Sequence, residues 1–366
     1  MKTMKTMARN PRDRGFTLVE LMVAAFVTVL IFGAALSLFA KHAPLFNQQQ
    51  NMAALNIQIR NAVAQLQLDT INAGNGFYQG TNIANSPIGL TIHNNTTTPC
   101  NTPSTFTYGA NCFDQVNIIT VDSTTPASHP STSAGGCINT NTSSTIYANP
   151  VSPTTAAQLA GDFNIGDQLL LVTSNGSLMT AVELTQAGSV SGSQVKLTIN
   201  TTAADGSNSA DPAFIAAHTA NDLTAAFCAT DWILKILPIT YKVDTSTASN
   251  PRLIREQPSG SANDVVVAEQ LVGFKVGAIT WNSCTGGCTS DDGSTYNYDS
   301  SSYSNSSGSQ AYNFSLIRSV QMEVIARTNP NPDPSYVYVN GFDGGPYQIQ
   351  SISVVVNPRN LTMSNH

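Results

Sequence analysis

The hydrophobic pattern divides the chain into two unequal parts. Residues 1–15 are polar and basic, and Phe16 to Ala40 then runs apolar for 25 residues with one charge inside it, Glu20. Twenty uncharged residues follow Glu20, enough for a helix to cross a bilayer. Further on, Leu45, Met52, Leu55, Ile59, Ala62 and Leu66 are spaced 7, 3, 4, 3 and 4, the stripe of an amphipathic helix. Pro44 reads as a kink inside this helix, and Gly74-Asn75-Gly76 as its end. The pattern predicts one helix over 16–74, with 16–40 in the membrane.

After residue 75 the apolar positions alternate instead. Phe106 to Tyr108 and Val116 to Val121 predict short strands, and the Ser, Thr, Pro and Gly-rich stretch 122–145 a surface loop. Gln168 to Thr173, an Asn175-Gly176 turn and Leu178 to Leu184 form a hairpin, with Gln194 to Ile199 as a third strand. Residues 201–230 read as an irregular or partly helical connection. Strand resumes over 233–243, broken at Pro238 by an edge or bulge. Pro251 to Glu256 follows, then Val265–Val267 and Phe274–Val276 around a turn at Leu271-Val272-Gly273. Phe314 to Arg327 and Tyr347 to Val356 are the last strands. On the first of these Val320, Met322, Val324 and Ala326 face inward, and Arg318, Gln321, Glu323 and Arg327 face outward or toward loops. The fold class is α+β: a long N-terminal helix packed on a large antiparallel β-rich domain, 75–366, with insertions near 122–150 and 282–310.

Charge fixes an orientation. Only 10% of the 366 residues are charged, against about 25% in an average soluble protein. The chain is −6 overall and residues 1–15 are +4, which leaves −10 for the rest. A basic end before an apolar span stays in the cytoplasm, so the acidic remainder lies across the membrane. That remainder lacks the basic stripe of a nucleic-acid binder, and no direct nucleic-acid partner is expected. Six cysteines, Cys100, Cys112, Cys137, Cys228, Cys284 and Cys288, all follow the span, where disulfides form. They allow 15 pairings. Cys284 with Cys288 across two glycines, and Cys100 with Cys112, are the local choices.

No catalytic set is legible. His42, His93, His129, His218 and His366 are scattered, and no metal, cofactor or enzymatic activity is expected. Asp291-Asp292-Gly293 with Asp299 lacks the spacing of a calcium loop and reads as solvated. Tyr296, Tyr298, Tyr303 and Tyr312 among small polar residues have the composition of a contact surface.

Glu20 stands out from this background. A carboxylate at a membrane-helix centre costs about 2.5–3.5 kcal/mol on insertion scales, so it calls for a partner. Gly15 precedes the apolar run, so a cut after it removes only the basic tail, unlike a secretory leader. Gly15, Phe16 and Thr17-Leu18-Val19-Glu20-Leu21 together resemble the leader and N-terminal helix of type IV pilins and type II secretion pseudopilins. Gly166-Asp167, Ile239 to Val243, Arg252 to Arg255, Ala268 to Phe274, Ile317 to Val320 and Val356 to Asn360 occur in the order seen in minor pilins of the PilW family, and more distantly in J-type pseudopilins. The resemblance implies cleavage between Gly15 and Phe16 by a prepilin peptidase, N-methylation of Phe16, and pairing of Glu20 with a neighbour's N-terminus during assembly. It also implies the partners: other minor pilins, the major pilin and the inner-membrane assembly platform. The function implied is a minor pilin that primes or caps the pilus. The alternatives are a type II secretion pseudopilin and a pilus-tip adhesin or ligand-binding module. Ser37 stands where many major pilins have a proline.

Overall fold

A computed structural model describes residues 16–75, 89–95, 101–102, 105–139, 144–176, 179–200, 226–257, 264–280, 317–329 and 338–359. The chain divides into two units, Met1–Ala54 and Leu55–His366. Helix α1, Leu18–Ile71, begins in the first and ends in the second, and it continues through Pro44. In the first unit its apolar side chains are exposed, from Leu18 to Phe39. Thr28 donates its hydroxyl to the Ala24 carbonyl at 2.7 Å, which satisfies that polar group inside the helix.

In the second unit Leu55, Ile59, Ala62, Val63, Leu66, Asp69 and Thr70 of α1 are buried. Leu45, expected on this stripe, is 52% exposed. The strands that follow are β1 (Leu90–His93), β2 (Asn101–Thr102), β3 (Thr107–Tyr108), β4 (Gln115–Val121), β5 (Ser128–Ser131) and β6 (Thr145–Pro150). Helix α2 (Ala156–Asp162) starts in a capping box between Thr155 and Gln158. After it come β7 (Gln168–Val172), β8 (Met179–Leu184), β9 (Ser189–Ser191), β10 (Gln194–Asn200), β11 (Trp232–Asp244), β12 (Arg252–Glu256), β13 (Val265–Ala268), β14 (Leu271–Thr280), β15 (Ile317–Arg327) and β16 (Ile349–Val356).

The long strand β11 organises this unit. Its first residues pair with β7 on one edge and with β5 on the other; its later ones pair with β12 and β4. The pairings β11–β5–β6–β10–β8–β7–β11 close a ring, so the sheet forms a small barrel. Leu169, Leu171, Val182, Leu184, Val195, Leu197, Ile199, Ile146 and Ile233 fill it, and Leu159 of α2 and Phe163 just after it join this core. Leu170 and Val172 face the other side of β7, against Ile119, Ala181 and Ile236. Both faces of β7 are therefore buried, which is why Leu169 to Val172 is an unbroken apolar run rather than an alternating one. The remainder of β11 continues into an open sheet with β1, β4, β12 and β13, and β14–β15–β16 form a separate three-stranded sheet.

Three expectations change. The stretch 122–145 is not plain surface loop: β5 lies in it with Ser128 and Ser131 buried, because a closing strand of the barrel is covered whatever its composition. Pro238 does not break β11. It falls after β7 pairing ends at Ile236 and before β12 pairing starts at Thr240, where a missing N–H leaves no ladder bond open. The turn placed at Leu271 to Gly273 sits instead at Glu269–Gln270, where Gln270 has φ 55. Gly273 lies inside β14 at a register shift, and a Cβ there would come within 2.9 Å of Ile325 Cδ1. Val320, Met322, Val324 and Ala326 are buried as the alternation predicts, and Arg327, on the opposite face, reaches loop residues as expected and is itself buried by them, at 2% exposure. It donates from Nε to Gln270 Oε1 (2.9 Å), from Nη1 to the Phe106 carbonyl (2.8 Å) and from Nη2 to the Ser249 carbonyl (2.8 Å), and its guanidinium lies over the Tyr347 ring. Of the expected connection over 201–230, residues 201–225 lie outside the described residues, as does the insertion over 282–310.

A second buried ionic cluster seats α1. Asp69 Oδ2 accepts from Tyr241 Oη at 2.6 Å and from Arg255 Nε at 2.7 Å. Tyr241 and Arg255 are register partners on β11 and β12. Burial, with the Asp69 hydrogen bond, pushes the Tyr241 hydroxyl pKa up. Beside this cluster, Thr70 Oγ1 lies 3.8 Å from Met322 Sδ on β15, and nearer the start of the buried stripe Gln58 Nε2 donates to the Glu269 carbonyl at 3.2 Å.

Candidate functional site

The start of α1 holds Phe16 and Glu20, the described residues that the sequence singles out for processing and assembly. The helix begins at Leu18, and Thr17 caps it. Glu20 N–H donates to Thr17 Oγ1 at 3.3 Å, and Thr17 N–H donates back to Glu20 Oε2 at 2.9 Å. The Thr17 hydroxyl also donates to Glu20 Oε2, at 3.0 Å. This is a reciprocal capping box, with a carboxylate in the first turn where the helix dipole favours negative charge. The Glu20 carboxylate is thus folded back to the Phe16–Thr17 junction. Phe16 is 87% exposed. Sequence reasoning singled out Glu20 and missed Thr17, although Thr-x-x-Glu before an apolar run is the spacing that announces such a cap.

The apolar segment behind the cap is long enough and apolar enough to cross a membrane, and none of its most hydrophobic window is buried within the protein. The segment has the small residues Gly33, Ala34 and Ala35 in its middle, and a Cβ at Gly33 would meet nothing within 4 Å of the same chain. A helix with this surface is stable only against lipid or against other helices.

The other predicted residues scatter. Gly15 lies outside the described residues, as do Cys100, Cys284, Cys288, Asp291, Asp292, Gly293, Asp299 and the tyrosines of that region. The structure joins Cys137 to Cys228 in a disulfide spanning 91 residues. Beside it Ile138 and Phe227 form an isolated bridge, so the bond ties the β5–β6 connection to the approach to β11. Neither local pairing choice involved these two. Cys112 is buried at the end of the short turn Ala110–Cys112. His129 Nδ1 shares a hydrogen bond with the Asp231 carbonyl (2.7 Å), and its ring stacks on Trp232, a structural position on the barrel wall. Among the described residues no three His, Cys, Asp or Glu side chains are grouped to hold a metal ion.

Residues 10–36 match the prokaryotic N-terminal methylation motif. The match takes in Phe16, Thr17 and Glu20 and most of the apolar segment. It gives the chain a type IV prepilin-like N-terminus of the kind carried by structural subunits, anchored in the membrane and associated with pili. No curated protein and no solved structure matches the chain.

Proposed function

We propose that the chain is a minor pilin of the PilW kind, which joins other minor pilins to prime or cap a type IV pilus. The methylation motif over residues 10–36, with Phe16 and Glu20 in place, supports a pilin-like subunit, and the order of segments from Gly166-Asp167 to Asn360 supports the finer reading. Residues 1–15 are a leader removed by prepilin peptidase, 16–74 the pilin helix with 16–40 in the membrane, and 75–366 the periplasmic domain. Cleavage after Gly15 turns the Phe16 nitrogen into an ammonium, one helical turn or ~6 Å along the axis from Glu20. In the unassembled subunit the Thr17 cap satisfies the Glu20 carboxylate. In the fibre, Glu20 of one subunit meets the Phe16 ammonium of the next, so burial of each charge is offset and axial register is set. The barrel of the second unit supports a specialised subunit rather than a bulk one, since it adds folded mass that a repeated fibre unit does not need.

Glu20→Ala tests this. The variant keeps membrane insertion, because removing a carboxylate makes the span more apolar. Its recovery in sheared filaments falls at least about tenfold, because the neighbour's ammonium loses its partner. Unchanged recovery overturns the register role. The pilus and type II secretion readings separate in a deletion strain: loss of pili with normal secretion supports the first, and the reverse supports the second.

A further inference from the structure

The connection between β15 and β16 ends in a segment, Tyr338 to Tyr347, that is polar inside and apolar outside. Asn340, 5% exposed, accepts at Oδ1 from the Phe342 and Asp343 N–H groups (2.9 and 3.0 Å). Its Nδ2 donates to Asp343 Oδ1 (2.8 Å) and to the Gly345 carbonyl (2.9 Å). The Asp343 carboxylate in turn accepts from the Gly345 N–H at 3.0 Å and from the hydroxyls of Tyr108 and Tyr347. Burial works against the Asp343 charge, but these hydrogen bonds outweigh it and hold the carboxyl below its ordinary range. Tyr347 packs under the buried Arg327, and a Cβ on Gly345 would collide with the Tyr347 ring. The polar side chains of the turn are therefore spent on holding its shape.

What that shape displays is Tyr338, Val339 and Phe342, at 45%, 62% and 55% exposure. A loop that merely connects two strands gains nothing from a half-buried Asp343 held by the buried Asn340, Tyr108 and Tyr347, with the buried Arg327 over Tyr347, beneath three exposed apolar side chains. A rigid aromatic loop is the form of a binding anchor, since its ordering entropy is already lost before contact. We infer that Tyr338, Val339 and Phe342 form a docking knob for the apolar surface of a neighbouring, membrane-anchored subunit of different sequence.

Area and charge choose that occupant. The three side chains offer roughly 300 Å², taking half of a typical aromatic or aliphatic surface for each. A stable complex between free proteins needs about 800 Å² on each partner. The knob is too small to hold a soluble partner, but suffices for one already held nearby by its own apolar helix, where the local concentration is supplied by the tether. A second copy is disfavoured by charge: the chain beyond residue 15 carries −10, and two such domains repel. The one carboxylate of the knob, Asp343, is turned inward. The fitting partner is thus a less acidic chain that presents an apolar depression.

The inference rests on the reading of the chain as a filament subunit, and the test separates the two. The full chain, expressed in its own cells, carries the photo-crosslinking residue benzoylphenylalanine at Phe342 or, separately, at Leu30 in the apolar helix. Captured chains are identified by mass spectrometry. The expected result is capture at both positions of chains that carry their own N-terminal methylation motif, and at residue 342 of one that is not this protein. Phe342→Asp, read through a probe at Val339, lowers that capture about tenfold, and Phe342→Leu restores it; both variants unfold at the wild-type midpoint because the side chain is exposed. Capture at Leu30 with none at 342, or capture at 342 of a soluble protein or of a second copy, overturns the knob and leaves the filament reading standing. Absence of pilin-type capture at Leu30 overturns the filament reading itself.

Discussion

Asp69→Ala is the substitution that most sharply tests how α1 is seated on the β domain. Asp69 is 8% exposed, and its Oδ2 receives both Tyr241 Oη at 2.6 Å and Arg255 Nε at 2.7 Å. Alanine leaves the Arg255 charge, with 16% side-chain exposure, without its carboxylate. It also leaves the hydroxyl of the fully buried Tyr241 without its acceptor. Removing one partner of a buried ion pair costs about 3–5 kcal/mol. A buried unsatisfied hydroxyl accounts for about 1–3 kcal/mol of such a loss. Against a total stability of about 5–15 kcal/mol the expected loss is severe. The assay is urea unfolding of the full chain in detergent, read by pulse proteolysis of the β domain. Asp69→Ala lowers the unfolding free energy by about 3–5 kcal/mol, and Tyr241→Phe alone by about 1 kcal/mol. In the Asp69→Ala background, Tyr241→Phe costs nothing or stabilises, because it removes the orphaned hydroxyl. An Asp69→Ala loss under about 1 kcal/mol, or additive effects of the two substitutions, rules out this seating of the helix.

Two further outcomes follow from the same geometry. Cys137→Ser opens a loop of 91 residues, and chain entropy sets the loss at up to about 4–5 kcal/mol, read as faster proteolysis within the barrel under non-reducing conditions. For Asp343, the folded carboxyl lies below its ordinary pKa, so its contribution to stability is complete above about pH 4 and fades as pH falls through the lower, folded value. Asp343→Asn therefore flattens the acid end of the stability profile, and an unchanged profile below about pH 4 contradicts the network.

Much of the architecture is legible in the residue pattern because local periodicity reports local structure. The Asn175-Gly176 hairpin turn, with Gly176 at φ 67, and the alternation on β15 are of this kind. Barrel closure is not legible, since it depends on β11 meeting β5 and β7, strands far earlier in the chain, and alternation does not name its partner. The burial of Arg327 is not legible for a related reason. Alternation on a strand describes one face, while the opposite face at that end is covered by Phe106, Ser249 and Tyr347 from elsewhere. Asp69 was within reach: it continues the helical spacing of Ile59, Ala62 and Leu66, and a charge on a buried stripe demands a cation opposite. At the start of α1, Glu20 was legible from its cost in a membrane, and Thr17 from its spacing to Glu20, because a cap is a local device.

Processing of this chain and its entry into a filament can be read in one experiment. Sheared filaments from cells that make the protein are digested and examined by mass spectrometry. A filament subunit of this kind is scarce in them, its first peptide begins at N-methylated Phe16, and its Cys137 and Cys228 remain joined. Filaments that lack the chain, or a mature chain that keeps residues 1–15, contradict the proposed function.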